Sequence, residues 1–316
     1  MLVSIAMATY NGERHIREQL DSIISQTFVE FEVIICDDCS TDNTLSILRE
    51  YEKKDKRIHV YKNEINIGFL KNFEKILSFC IGEYIACCDQ DDIWNETHLE
   101  TLLDNIGEND CVGANGLIIN ETGISQESTI KDKLFIEKIP CDSESIFKFE
   151  CYHNLIQGTA CLFNKRLLKS ILPFPEGIKF HDHWIALSAS IQNGCKYIPN
   201  IVLNYRNHNR NITGFKRFNL IHAIQTTLHA KKIRHQMYTS NIAMLKALRE
   251  KVINNANIVY IDEAIFFFNN LSSDKKRLAS SLHYIKNYPY ITLCSRKKWK
   301  LFLYRLFCLA IFGLML

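Results

Sequence analysis

Neither glycine-rich phosphate signature, G-x-G-x-x-G or G-x-x-x-x-G-K-[ST], occurs in the 316 residues, so dinucleotide-fold and P-loop readings lose their main support. Glycine and proline are scarce, at 12 and 5, and there is no Pro/Gly linker, low-complexity tract or internal repeat. A net charge of +3 is too small to point to nucleic acid as a partner. No secretory leader is expected, because "MLVSIAMATYNGERH" opens with an apolar run only a strand long. Twelve cysteines at irregular spacing, with Cys80, Cys87, Cys88 and Cys161 inside apolar segments, then read as small buried hydrophobes in a reducing compartment. The cytoplasm is the expected location. Long apolar runs are lacking too. Residues 306–316 are apolar without a break, but as a helix they rise only ~16 Å against a ~30 Å hydrocarbon core. What remains is an ordinary globular composition, 47% apolar and 23% charged, with ample material for a core.

Two periods alternate through the first half. "LVSIAMAT" is a short β-branched run, followed by a helix in which Ile16, Leu20, Ile23 and Ile24 repeat after an Asn11 cap. "FEVIICD" precedes a helix with Leu45, Leu48 and Tyr51 on one face; "RIHVYK" with "FLKNFEKILSF", and "EYIACC" with "ETHLETLLDNI", repeat the unit. Four strand–helix units predict an α/β fold with a mainly parallel sheet covered on both faces. Ligands of such sheets sit at the C-terminal strand ends, where Thr9-Tyr10-Asn11, Asp37-Asp38 and Asp89 to Asp92 fall. Further on, "CVGANGLIIN", "GTACLFN" and "CKYIPNIVLNYR" read as strands and "HDHWIALSASIQ" as a helix. From about residue 216 the period is helical throughout, which predicts a domain over 1–215 and a helical region over 216–316.

Three aspartates in four positions mark "CCDQDDIWNE". Carboxylates at i and i+2, Asp89 and Asp91, can reach one hard divalent cation, and Mg²⁺ or Mn²⁺ commonly shares such a pair with substrate phosphates. The competing reading is a solvated Asp-rich turn. Trp94 behind the cluster reads as packing. In "ICDDCSTD", Asp38 can accept the ring N3–H of uracil or thymine while Asp37 or the turn holds the loop; Asx-turn and capping chemistry is the alternative. Cys36 and Cys39 spell C-x-x-C, but no second pair completes a zinc site. "MATYNG" offers a carbonyl and hydroxyl at Thr9 and an aromatic face at Tyr10, with Asn11-Gly12 making the turn. In "KFHDHWIALSAS", Asp182 stands between His181 and His183 at a helix start, either as a cap or as a general base for an alcohol. "QGTACLFN" and "NYRNHNRNITG" supply further cleft candidates, and Arg206 and His208 either meet diphosphate or form an exposed basic turn.

In this order, "VSIAMATYNGERHIREQLDSIISQT", "FEVIICDDCSTDNT", "NIGFLKNFEKIL", "GEYIACCDQDDIW", "GTACLFN", "HDHWIALSAS" and "YRNHNRNITG" resemble a family 2 glycosyltransferase of the GT-A fold over residues 3 to about 215. The "DQDDIW" and "HDHW" variants resemble the rhamnosyltransferase branch of polysaccharide assembly. The resemblance implies an inverting transfer of one sugar from a nucleotide-diphosphate donor, dTDP-rhamnose or a UDP-sugar, to a hydroxyl of a glycan or lipid-linked acceptor. By position, it makes Asp38 the base-binding residue and Tyr10 its stacking neighbour, with Thr9, Asn11 and Lys71 in the same nucleotide site. Asp91 becomes the direct metal ligand, Asp89 shares the ion and lies nearer the ribose, and Asp182 is the catalytic base. Gly158, Thr159, His181, Trp184, Arg206 and His208 fall to the acceptor or diphosphate. The Q-x-x-R-W signature of processive members is absent, which favours single-sugar transfer.

Three rivals fit less of the chain. A receiver domain leaves the second acidic cluster and "HDHW" unexplained. A nucleotide-sugar pyrophosphorylase needs a Gly-rich first loop that "TYNGERH" does not provide. A non-catalytic partner of other transferases would have lost Asp91 or Asp182. The tail "SRKKWKLFLYRLFCLAIFGLML" carries basic residues and Trp299 before its apolar end, which predicts peripheral attachment to the cytoplasmic face of the inner membrane; a helix docked on residues 216–290 is the alternative.

Overall fold

The computed structural model describes residues 1–133, 140, 142–208, 211, 231–272 and 283. Its first half is the expected alternation: β1 (Val3–Thr9), α1 (Ile16–Ile24), β2 (Phe31–Asp37), α2 (Thr44–Lys54), β3 (Ile58–Lys62), α3 (Phe69–Phe79) and β4 (Tyr84–Cys88). The short strand β5 (Ile93–Trp94) follows, then α4 (His98–Ile106), β6 (Cys111–Ile119), β7 (Ser125–Thr129) and α5 (Ile130–Lys133). After these come α6 (Ser143–Glu150), β8 (Cys161–Asn164), α7 (Leu168–Ile171), α8 (His181–Ser190) and β9 (Cys195–Arg206). Two further helices, α9 (Lys231–Arg249) and α10 (Asn255–Ser272), complete the described chain.

The strands form one nine-stranded sheet in the order β3-β2-β1-β4-β8-β6-β9-β5, with β7 beside β6. Strands β1 to β4 are mutually parallel, β9 runs parallel to β6, and β8, β7 and β5 pair antiparallel. Strand period separates the two faces. In β1, Val3, Ile5 and Met7 join a cluster with Leu20, Leu48 and Leu99, whereas Ala6 faces the other way toward Phe73, Phe147 and Trp184. Helices α1, α2 and α4 therefore cover one face, and α3, α6 and α8 the other. Leu245 and Leu248 of α9 and Phe267 and Phe268 of α10 belong to that second cluster, so these helices extend the core of the α/β layer. The boundary expected near 215 and the tail lie outside the described residues. Among the described residues, no helix is long and apolar enough to cross a membrane.

One local expectation is corrected. Asn11 does not cap α1, whose N-cap position is His15. Asn11 instead adopts a left-handed φ of 49°, and its side-chain oxygen accepts the Thr41 backbone N–H at 2.8 Å. It ties the β1 loop to the β2 loop.

The strand order places the functional end. The chain winds outward through β1, β2 and β3, then crosses back to lay β4 on the other side of β1. The β1–β4 ladder stops at Met7–Cys88, and the strands part beyond it. At such a switch point the loops diverge and leave a crevice at the carboxyl ends.

Candidate active site

That crevice is a cleft of about 390 Å³ lined by residues from seven segments of the chain, among them Thr9, Tyr10, Asp38, Asp89, Asp91 and Asp182. Four separate sequence stretches thus converge on one cavity. Gly158, Thr159 and His181 also line it, as do Asn66, Asn72 and Gln90, which sequence reasoning had passed over. None of those three has a residue type or spacing that advertises a site.

The loop after β2 is largely satisfied by its own surroundings. Asp37 accepts from the Ser40 N–H at 2.9 Å and from the Thr9 hydroxyl at 3.2 Å, fixing the turn. Asp38 Oδ1 accepts from Asn63 Nδ2 at 2.8 Å and the Ile67 N–H at 2.9 Å, while Oδ2 accepts the Gly68 N–H at 2.8 Å. A carboxylate offers about four lone-pair sites, so Asp38 keeps roughly one for a ligand. Its helix-loop partner Gly68 sits at φ 86°, a conformation glycine adopts without strain.

The loop after β4 is different. Asp89 has no hydrogen-bond donor among the described residues, and desolvation, then the charges of Asp91 and Asp182, push its carboxyl up to about 7. Asp91 Oδ2 meets His208 Nε2 at 2.8 Å. Asp92 is fully buried: Oδ1 accepts the Arg206 N–H at 2.9 Å, Oδ2 has no partner, and burial holds the group well above the usual carboxylate range. Carboxylates crowded with so few donors are the chemistry of a hard cation's site. No group of three His, Cys, Asp or Glu able to hold a metal occurs among the described residues. The residues therefore fit an ion completed by oxygens of a bound ligand, rather than one caged by protein.

Asp182 lies across the cleft at the start of α8. Asn154 Nδ2 donates to its Oδ1 at 2.9 Å and the Gly158 N–H to its Oδ2 at 2.9 Å, orienting the group, while burial raises it to about 6. A held carboxylate that titrates near 6 suits a general base. His181 beside it stacks on Phe73 at 3.9 Å between ring centroids, and burial lowers its imidazole to about 3, so it is neutral. His183 turns inward to the Glu150 carbonyl at 2.6 Å.

Five expected members do not line the cleft: Asn11 holds the Thr41 N–H, His208 pairs with Asp91, and three others are placed elsewhere. Trp184 follows Asp182 by two residues, roughly 200° around the helix; it is fully buried and donates to the Ile171 carbonyl at 3.0 Å, so its assignment to acceptor or diphosphate is corrected to core packing. Arg206 is no exposed basic turn. It is 1% exposed and donates to the Asp91 carbonyl at 2.8 Å, the Glu121 carbonyl at 3.0 Å and Glu18 at 2.6 Å, holding the acidic loop from behind. Lys71 stands exposed on α3, paired with Glu74 at 3.0 Å, and does not line the cavity.

Comparison with known proteins agrees with this geometry. The model of glycosyl transferase family 2 matches residues 4–172. The chain is similar to an uncharacterized glycosyltransferase of Haemophilus influenzae, 29% identical over 90% of each chain. It is also similar to the dTDP-rhamnosyl transferase RfbG of Shigella flexneri, 30% identical over 66% of this chain and 73% of that one. Among solved structures, residues 1–349 of S. aureus TarS in complex with UDP-GlcNAc superpose with a TM-score of 0.62 at 22% identity, covering 92% of this chain and 78% of that one. That likeness is one of fold.

Proposed function

The chain belongs to glycosyl transferase family 2 and is a glycosyltransferase; from that premise we propose that its cleft takes a pyrimidine nucleotide-diphosphate sugar and passes one sugar, with inversion, to an acceptor hydroxyl. The observation that carries this reading is that Asp182, raised to about 6, and the acidic pair Asp89 and Asp91, of which Asp89 has no donor among the described residues, line one cavity with Tyr10 and Asp38. Tyr10, 46% exposed, offers a face for the base, and the remaining acceptor site of Asp38 takes its ring N–H. Asp89 and Asp91 are the residues that would hold Mg²⁺ or Mn²⁺. When bound, that ion offsets the charge building on the leaving group. Asp182 removes the acceptor O–H proton as its oxygen bonds the anomeric carbon, and the electron pair of the breaking C–O bond leaves on the diphosphate. Burial keeps Asp182 basic enough for this work, and its three donors, the Asn154 amide and the Gly158 and His183 N–H groups, keep it aimed.

The relative named as a dTDP-rhamnosyl transferase supports dTDP-rhamnose as donor. An Escherichia coli relative named as a UDP-Glc:alpha-D-GlcNAc-diphosphoundecaprenol beta-1,3-glucosyltransferase supports a UDP-sugar donor and a glycan or lipid-linked saccharide of cell-surface polysaccharide as acceptor. We extend the proposal to a catalytic unit over residues 1–215 and peripheral membrane attachment through the basic and apolar residues 295–316. The test is to incubate the full chain with Mn²⁺ and UDP-, dTDP- and GDP-sugars and measure released nucleoside diphosphate and thermal stabilisation. Stabilisation by pyrimidine donors and none by GDP-sugars is expected; no response to any donor would overturn the reading. Deleting 295–316 should abolish sedimentation with anionic vesicles, and equal sedimentation of both forms would remove the membrane claim.

A further inference from the structure

The β1–β4 ladder ends at Met7–Cys88, yet the two strands' loops stay joined beyond it through a single side chain. Gln90, the residue between the two cation-facing aspartates, reaches over to residue 10. Its Oε1 accepts the Tyr10 backbone N–H at 2.9 Å, and its Nε2 donates to the Tyr10 carbonyl at 3.0 Å. This is the two-bond exchange that a neighbouring strand residue makes in a ladder. A planar carboxamide offers a donor and an acceptor side by side; a carboxylate has only acceptors, and a hydroxyl lacks the span. The sequence leaves room for it in one way. A Cβ at position 12 would stand 2.6 Å from Gln90 Cδ, so Gly12 is the hollow into which the carboxamide fits.

We propose that Gln90 is a positioning residue that sets the distance between the nucleotide-base platform at Tyr10 and the cation-binding carboxylates Asp89 and Asp91. A nucleoside diphosphate then engages both ends without first having to align them. This rests on the reading of the cleft given above. The rest of the Tyr10 loop is anchored independently: the Asn11 N–H donates to Ser40 Oγ at 2.9 Å and the Gly12 N–H to Thr44 Oγ1 at 2.8 Å. Losing Gln90 therefore leaves the platform in place and loosens only its tie to the acidic loop. The gain from holding both ends of one ligand at a fixed span is a pre-organisation effect.

The experiment is calorimetric titration of the full chain with uridine, and with UDP in the absence and presence of Mn²⁺, alongside donor KM and kcat. Gln90→Ala should bind uridine within about twofold of wild type, while the factor by which Mn²⁺ tightens UDP falls roughly tenfold, the size of two lost hydrogen bonds. Donor KM should rise by about the same factor with kcat nearly kept. Gln90→Glu should lose more, since it forfeits the donor and adds a charge between two aspartates. Gly12→Ala should reproduce the Gln90→Ala phenotype by expelling the carboxamide, and the double variant should be no worse than either single one. If wild type shows Mn²⁺-assisted UDP binding and Gln90→Ala keeps it undiminished, the inference falls and the functional reading stands. If wild type binds neither UDP nor dTDP with Mn²⁺, both fall.

Discussion

Two acidic loops end β2 and β4, the parallel strands on either side of β1, and the protein treats them in opposite ways. After β2, Asp38 is met by three donors from Asn63, Ile67 and Gly68, and Asp37 by Ser40 and Thr9. After β4, the Asp89 carboxylate meets none among the described residues, Asp92 leaves one buried oxygen unpaired, and desolvation, then the charges of Asp91 and Asp182, lift Asp89 to about 7. The sequence pattern is nearly the same; the difference lies in who supplies the counter-charge. The first loop is held by the protein's own donors, with one acceptor site of Asp38 to spare, and serves as a frame. The second is destabilising until something positive arrives, which is what a binding site for a cation and an anionic ligand requires. Asp182 combines the two conditions. It is oriented by donors like Asp38, yet desolvated like Asp89.

The largest expected effect therefore comes from the carboxylate that is both held and desolvated. Asp182→Asn keeps an acceptor for the Gly158 N–H but cannot take a proton, so kcat should fall by about 10²- to 10⁴-fold with donor affinity little changed. Steady-state kinetics with separate nucleotide titration checks it, and collapse of donor binding instead would move Asp182 into the nucleotide site. At saturating Mn²⁺, which keeps Asp89 ionised, wild-type kcat/KM should climb through pH about 6 and level above it, since Asp182 works deprotonated.

Next come the two loops set directly against each other. Asp91→Asn should remove cation-dependent transfer while the melting temperature holds or rises, because the change relieves repulsion on Asp89 and Asp92. Asp38→Ala should do the reverse to stability, stranding the Ile67 N–H and leaving the Gly68 N–H and the Asn63 amide with only Asn66 and Asn72, at a cost of about 2 kcal/mol. Melting curves of the two variants in chelator separate them. A destabilised Asp91→Asn beside an unaffected Asp38→Ala would erase the contrast between frame and site.

Much of this was legible in the chain because it is written in periods. The alternation of β-branched runs and 3.6-residue repeats located β1 to β4 and α1 to α4, and the polar strand ends located the cleft. What failed was information carried by neighbours distant in sequence. Asn11 has the chemistry of a cap, but its partner is Thr41, 30 positions away. Arg206 looks like a surface base until Glu18, Asp91 and Glu121 close around it. Trp184 sits beside the base in sequence and opposite it on the helix. The edge strand β7, "SQEST", is polar and largely exposed, so no alternation marks it. Gln90 carries no signal of its own, since the x of a D-x-D can be many residues and its meaning appears only against Gly12.

The smallest expected effect tests the same contrast through pH. Asp89 has a folded-state value near 7, above the ordinary 3.8, so the folded protein holds a proton that the unfolded chain releases between those limits. Stability from this group is full below about pH 4 and is lost as pH rises toward 7, the reverse of an ion-paired aspartate. Mn²⁺ competes for the same oxygens, so its stabilisation should grow across that window and flatten above it, shifting the melting temperature by a few degrees at most. Asp89→Asn should abolish both slopes, while Asp38→Asn, on the loop after β2, should leave them. The measurement is a set of melting curves from pH 5 to 8 with Mn²⁺ or chelator. A cation effect independent of pH, or one that survives in Asp89→Asn, would place the ion somewhere other than the loop after β4.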